Sequence, residues 1–120
     1  MIVDDEPEIV MVLRFSLEKE GHNVLQAGNG QEALDQLGET LPDLVILDVM
    51  MPVMDGYTLY MRLQADARTR SIPILVLTAK GQKMRDLFEM APNVAAYVQK
   101  PFDPKMLRDL INGIIAKKVS

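Results

Sequence analysis

One stretch, Leu44 to Gly56, constrains the fold more than any other part of this chain. Its first four residues, Leu44-Val45-Ile46-Leu47, are all apolar and half of them β-branched, the pattern of a strand buried on both faces. The run ends on a lone carboxylate, Asp48. Met50, Met51, Pro52 and the turn signal Asp55-Gly56 follow. A buried strand that delivers an acid to the loop at its C-terminal end is how open α/β sheets build sites, with ligands outside the carboxyl ends of the strands. Taken alone, Asp48 reads equally well as the N-cap of the next helix. The rest of the chain has to decide.

Around this strand the sequence alternates short β-prone runs with helical periodicity. Met1-Ile2-Val3 reads as a first strand ending at Asp4, shorter than the usual span of about five or six residues, so residues are expected to be missing before Met1. A helix is predicted from Pro7 to Glu20, with Pro7 in its first turn and Gly21 as the C′ residue. Ile9, Val12, Leu13 and Leu17 form its core stripe, leaving Val10, Met11 and Phe15 beside or opposite it. His22 to Ala27 reads as a second strand. Gln31 to Gly38 reads as a helix with Ala33, Leu34 and Leu37 inward. The intervening Gly28-Asn29-Gly30 is a turn; a dinucleotide fingerprint would need a third glycine and a ribose-binding acid.

Beyond the central strand, a helix is predicted over Tyr57–Ala67 with Leu59 and Leu63 on one face. A strand follows over Ile72–Leu77, ending on Thr78. Lys83 to Met90 reads as helical and is broken by Pro92-Asn93. Val94 to Gln99 is the fifth strand, ending on Lys100-Pro101. Asp103 opens a last helix through Ile115 with Leu107, Leu110, Ile111 and Ile114 inward. Strands alternating with helices in this way predict an α/β doubly wound parallel sheet with right-handed crossovers, and the 120 residues predict one domain over 1–120.

Asp4-Asp5, Asp48, Thr78 and Lys100 all stand at strand ends, so this topology gathers them along one edge if the four strands are neighbours. Carboxylates brought this close repel one another unless a cation intervenes, and Lys100 alone does not balance three of them. An oxygen-rich set without thiolates suits Mg²⁺, which binds through one or two carboxylates plus a phosphate. Mg²⁺, a lysine and a hydroxyl donor together clamp a phosphoryl group in transfer. The only histidine, His22, lies at the opposite end, so no base stands ready to activate water. The remaining nucleophile is a carboxylate, and Asp48 at the end of the most central strand is the acceptor. The rival reading makes these residues separate helix caps and surface charges.

Composition narrows the function classes. The net charge of −4 argues against a nucleic-acid surface, and the absence of tryptophan against a base-stacking platform. Without cysteine there is no disulfide framework or thiolate metal site, which fits the cytoplasm. No apolar run approaches a membrane span, and no basic n-region precedes the first strand.

Val3-Asp4-Asp5-Glu6-Pro7, the run Leu47 to Gly56, Val76-Leu77-Thr78-Ala79 and Lys100-Pro101-Phe102 resemble, in order and spacing, the receiver domain of bacterial two-component response regulators. The resemblance covers essentially the whole chain. It implies a flavodoxin-like (βα)5 fold of strand order 2-1-3-4-5. It further implies that Asp48 takes a phosphoryl group from a phosphohistidine on a sensor histidine kinase or histidine phosphotransfer domain. Asp5, Asp48 and the Met50 backbone carbonyl would ligate Mg²⁺, with Asp4 acting through a metal-bound water. Thr78, Lys100 and the backbone N–H groups of Met50 and Ala79 would hold the phosphoryl oxygens. The Lys100-Pro101 bond is expected to be cis.

The same resemblance implies a switch in which Thr78 moves toward the phosphoryl group and Tyr97 turns inward. The face of the fourth predicted helix, the fifth strand and the last helix would then meet a downstream protein or an output domain. Tyr97 also reads as an ordinary half-exposed strand aromatic. Val10, Met11 and Phe15 would serve as a kinase-docking patch, or are incidentally exposed. Met50 and Lys80, two residues beyond Asp48 and Thr78, would shield the acyl phosphate and slow its hydrolysis. Pro92-Asn93 replaces an Ala-Gly common in receivers. A single receiver domain without an output domain is expected, either a stand-alone regulator or a domain excised from a larger regulator or hybrid kinase; a monomer or a phosphorylation-dependent dimer is expected, with no enzymatic activity beyond its own phosphorylation and dephosphorylation.

Two other classes are weighed against this. A haloacid-dehalogenase-like phosphatase would need a second acid two residues after the nucleophile, where Met50 stands. A phosphorylation-independent interaction module would have no physical reason to retain Asp48, Thr78 and Lys100.

Overall fold

The computed structural model describes residues 1–49, 51, 54–79 and 93–119. The predicted helix over 83–90, and Met50, Pro52, Lys80 and Pro92, lie outside the described residues. In chain order the elements are β1 (Ile2–Val3), α1 (Pro7–Lys19), β2 (Gln26–Ala27), α2 (Gly30–Leu37), β3 (Val45–Asp48), α3 (Gly56–Ala65), β4 (Ile74–Ala79), β5 (Val94–Lys100) and α4 (Pro104–Val119). All strand pairs are parallel, in the expected order β2-β1-β3-β4-β5.

Period-two alternation divides the core in two. Val3, Val45, Leu47, Ile74 and Val76 point to one face of the sheet, where they pack with Ala33 and Leu37 of α2 and Leu59 and Leu63 of α3. Ile2, Ile46, Leu75 and Leu77 point to the other, against Leu13 and Leu17 of α1 and Leu107 and Ile111 of α4. Helices cover both faces, so successive strand residues are all apolar and the central strands read as unbroken hydrophobic runs. Burying these side chains supplies roughly 1.5–3 kcal/mol each, which makes the register costly to slip.

Several boundaries differ from expectation, for identifiable reasons. β2 is confined to Gln26–Ala27 because its neighbour β1 has only Ile2 and Val3 to pair with it. β1 itself is prolonged by bonds outside the ladder: the Met1 nitrogen donates to the Leu44 carbonyl at 2.7 Å and the Ile46 N–H to the Met1 carbonyl at 2.8 Å. β4 starts at Ile74, later than predicted, since Ile72 closes a turn on Thr69 and Pro73 has no N–H to donate. In exchange it runs through Thr78 to Ala79, paired with Gln99 and Lys100. α4 continues past Ile115 to Val119.

The stripe on α1 is rotated from the predicted one. Val12 is 42% exposed, whereas Val10 packs against the core beside Leu13. At about 100° per residue Val10 lies about 60° from Leu13 and Val12 about 100° away, so Val10 is the better placed of the two. Met11 and Phe15 do stand clear of the core, at 68% and 71% exposure. Gly21 takes φ +90°, the left-handed C′ conformation expected after this helix.

Candidate functional site

Parallel pairing brings four strand ends to one edge. Asp4 follows β1, Asp48 ends β3 opposite Leu77, Thr78 is the next residue of β4, and Lys100 ends β5 opposite Ala79. Asp4 and Asp48 are buried, at 1% and 4% exposure, which carboxylates tolerate only when paired or bound to a cation. The alternative that Asp48 caps the following helix fails. That cap is Asp55, whose Oδ1 accepts the Thr58 N–H at 2.7 Å.

The loop from β3 to α3 folds back tightly over Asp48. The Gly56 N–H donates to the Val49 carbonyl at 2.9 Å. A Cβ on Gly56 would run into the Asp48 carbonyl oxygen and come within 2.8 Å of Val49 Cα, so only glycine permits this approach.

Lys100 is the cation of the cluster. Its Nζ lies 2.9 Å from Asp4 Oδ2, 2.7 Å from Glu6 Oε1 and 3.5 Å from Asp48 Oδ2. Burial alone would lower its pKa. The hydrogen bond to Glu6 and the close carboxylates of Asp4 and Asp48 outweigh burial and raise it. Asp4 Oδ1 accepts the Glu6 N–H at 2.9 Å. Its buried Oδ2 accepts no well-formed hydrogen bond; the 2.9 Å contact to Lys100 is an ion pair without hydrogen-bond alignment.

The carboxylates of Asp4, Glu6 and Asp48 each offer an oxygen within 4.8 Å of the others. Among the described residues, three acids around one lysine leave negative charge that a further cation would neutralise. The donor set is all oxygen, so the residues present fit Mg²⁺.

Asp5 is exposed and lies outside this group of three, on the rim of a groove of about 380 Å³ shared with Asp4, Pro7, Val10, Met11 and Arg14. Thr78 is half-buried at the same edge. Tyr97, in β5 opposite Val76, is half-buried and packs on the α2–α3 side of the sheet. Tyr57 and Tyr60 of α3 belong to the same side, and the pKa of Tyr60 is raised first by burial, then by the proximity of Tyr97 and Tyr57. Lys100-Pro101 is cis. The Met50 carbonyl and N–H fall outside the described residues. A cavity of about 910 Å³ opens at the other end of the sheet between Pro73, Val94, Leu110 and Ile114, away from Asp4, Glu6 and Asp48.

Glu6 is the site residue that sequence reasoning missed. The available signal was a third acid directly after the pair, standing at a helix N-cap where Ser, Thr, Asp or Asn is preferred.

This geometry can be set beside known proteins. The family profile of the response regulator receiver domain matches residues 1–112. The chain belongs to this family. It is 34% identical over 116 residues to the protein PilH of Pseudomonas aeruginosa, covering 97% of this chain and 96% of PilH. It is 38% identical over 119 residues to the response regulator Rre1 of Synechocystis, covering 98% of this chain but 52% of Rre1. For the alkaline phosphatase synthesis transcriptional regulatory protein PhoP of Bacillus subtilis the identity is 34% over 117 residues, with 98% and 48% covered. The receiver thus spans nearly all of PilH and about half of the other two.

Among solved structures, the signal receiver domain of a signal transduction histidine kinase from Syntrophus aciditrophicus superposes with a TM-score of 0.86 at 31% identity, covering 97% of this chain and 88% of that one. The chemotaxis response regulator CheY4 of Vibrio cholerae gives 0.85 at 27% identity, with 94% of each chain covered. The flavodoxin-like fold and the assignment as a signalling receiver domain follow from these matches. No helix among the described residues is long and apolar enough to cross a membrane.

Proposed function

We propose that this receiver accepts a phosphoryl group on Asp48 from a phosphohistidine, carried by a sensor histidine kinase or a histidine phosphotransfer domain. The observation that carries the reading is the burial of Asp48 and Asp4 beside Lys100, with more carboxylates than cations among the described residues of this edge. In the transfer, an Asp48 carboxylate oxygen forms the bond to phosphorus as the P–N bond breaks, and the electron pair of that bond stays on the departing imidazole nitrogen. No general base is needed, because the attacking group is already an anion.

Asp5 and Asp48, with the Met50 carbonyl, would hold Mg²⁺, and Asp4 would hold one of its waters. Bound there, Mg²⁺ supplies the positive charge that lets an anionic donor approach an anionic nucleophile. Lys100 and the Thr78 hydroxyl take up phosphoryl oxygens, assisted by the Met50 and Ala79 N–H groups. Thr78 is drawn in, Tyr97 follows, and the surface including β5 and α4 changes its affinity for a protein partner or an output domain. Met11 and Phe15 on α1 provide apolar contacts for the kinase or phosphotransfer helices. The domain acts in the cytoplasm as a phosphoacceptor, not as a turnover enzyme.

The test is intact-protein mass after incubation with acetyl phosphate and Mg²⁺. The expected result is a gain of one phosphoryl group, lost with EDTA and lost in Asp48→Asn. A persistent gain in Asp48→Asn would place the acceptor elsewhere. Steady turnover of a chromogenic phosphomonoester would favour a phosphatase instead.

A further inference from the structure

Glu6 occupies an unusual position for what it does. It is the N-cap of α1, yet its side chain caps nothing. A Ser, Thr, Asp or Asn there would satisfy a helix N–H and stabilise the helix. The Glu6 carboxylate reaches away from the helix to Lys100 Nζ at 2.7 Å, the shortest of the three lysine contacts. Its backbone is fixed at the same time, because the Glu6 N–H donates to Asp4 Oδ1 at 2.9 Å. Asp4 therefore sets where Glu6 sits, and Glu6 sets where the lysine head group rests.

We infer that Glu6 is a positioning residue, an exchangeable tether that holds Lys100 in the unphosphorylated domain and must release it when Lys100 turns to a phosphoryl oxygen. The inference rests on the reading of Asp48 as phosphoacceptor. Two properties suit Glu6 to the role. Its side chain is 57% exposed, against 0% for Asp4 and 5% for Asp48, so water can replace Lys100 at Glu6 at little cost, while the buried acids cannot lose the lysine so cheaply. Its carboxylate also lies within 4.8 Å of the other two, so it adds repulsion against any anion approaching Asp48. Both effects oppose phosphorylation. Glu6 thus biases the domain toward its resting state by the strength of a solvent-exposed ion pair.

The experiment measures the affinity of the whole domain for beryllofluoride in the presence of Mg²⁺, as a non-covalent phosphoryl mimic, together with calorimetric affinity for Mg²⁺ alone. Glu6→Gln keeps length and removes charge, and is expected to tighten beryllofluoride binding about three- to fivefold, the equivalent of about 0.7–1 kcal/mol. Mg²⁺ affinity is expected to stay within about twofold of wild type, a change of about 0.4 kcal/mol or less. Glu6→Asp keeps the charge but is too short to reach Lys100, and is expected to tighten beryllofluoride binding by the larger part of the Glu6→Gln effect, the remainder being the retained repulsion. Wild-type affinity in Glu6→Asp would mean that charge alone matters, and would overturn the tether. Marked loss of Mg²⁺ affinity in Glu6→Gln would make Glu6 a metal ligand and overturn it as well. Unchanged beryllofluoride affinity in both variants would remove any role for the contact. Failure of the wild type itself to bind beryllofluoride would instead refute the phosphoacceptor reading beneath the inference.

Discussion

The two ends of the sheet treat buried polar groups differently. At the N-terminal end the partners are mostly backbone carbonyls and side-chain amides, and the Met1 ammonium there donates to the Leu44 carbonyl at 2.7 Å. Asn93, just before β5, donates from Nδ2 to the Ile72 carbonyl at 2.7 Å and accepts from Gln64 Nε2 at 2.7 Å. Buried Thr69 donates to the Leu63 carbonyl at 2.7 Å, and His22 Nε2 meets Asn112 Oδ1 at 2.8 Å. At the C-terminal end the groups are charged and mismatched in number, with Asp4, Glu6 and Asp48 sharing Lys100. Neutral pairs closed on themselves hold a fold together and ask for nothing further. A buried cluster with surplus charge is stable only as far as something else completes it. The difference separates the structural end of this domain from its chemical end without reference to any relative.

The comparison can be broken most forcefully at Lys100. Lys100→Met leaves Asp4 and Asp48 buried without their cation and is expected to cost about 3 kcal/mol of stability in EDTA. Millimolar Mg²⁺ is expected to restore much of this, because the metal supplies the missing charge; chemical denaturation with and without Mg²⁺ reads both. The pH dependence follows from the raised pKa of Lys100. A lysine whose pKa is higher folded than unfolded stabilises in full below its unfolded value of about 10.4, and that stability drains away as pH climbs from there toward the folded value. Wild type should therefore lose stability above about pH 10 more steeply than Lys100→Met. Equal slopes would mean that the lysine is not held by the acids.

The Asn93 cluster at the opposite end should respond to neither variable. Asn93→Ala strands the Ile72 carbonyl and leaves the Gln64 amide only its longer bond to the Arg70 carbonyl, and is expected to cost about 1–2 kcal/mol. That loss should be the same with EDTA or Mg²⁺, and flat between pH 6 and 9, because no charged group takes part. A Mg²⁺-dependent loss in Asn93→Ala would show that the two ends are coupled, and the division drawn above would fail.

Strand logic in the sequence carries much of this arrangement. A parallel sheet covered on both faces demands unbroken apolar runs, and each run here hands its next residue to the same edge, so Asp48, Asp4 and Lys100 could be placed by strand logic alone. Asp48 was ambiguous with a helix cap, and only the Asp55–Thr58 bond removed the ambiguity. Glu6 escaped because its role depends on reach across the edge to Lys100, ninety-four residues away, and no local pattern encodes that distance. The exposed face of α1 was half right. A stripe centred on Ile9 takes Val12 inward, whereas the stripe is centred on Leu13 and Leu17, which pack on α4 and the sheet, and that centring brings Val10 in.

That correction sharpens the smallest expected effect. With Val10 in the core, the exposed apolar surface of α1 reduces to Met11 and Phe15, four residues apart on one helix face, with Val12 beside them. They border the groove that opens beside Asp4 and Asp5, through Met11. Phe15→Glu removes no buried contact, so stability should change by no more than about 0.5 kcal/mol. Loading from acetyl phosphate, which needs no docking, should also be unchanged. Transfer from a phosphorylated histidine kinase should slow about tenfold if Phe15 anchors the partner's helices, since a truncated aromatic anchor typically costs more than about 1 kcal/mol. Equal transfer rates would return Phe15 to the ordinary exposed hydrophobics of a protein surface. Slowing with both donors would instead mean that a charge at position 15 disturbs the acid edge itself.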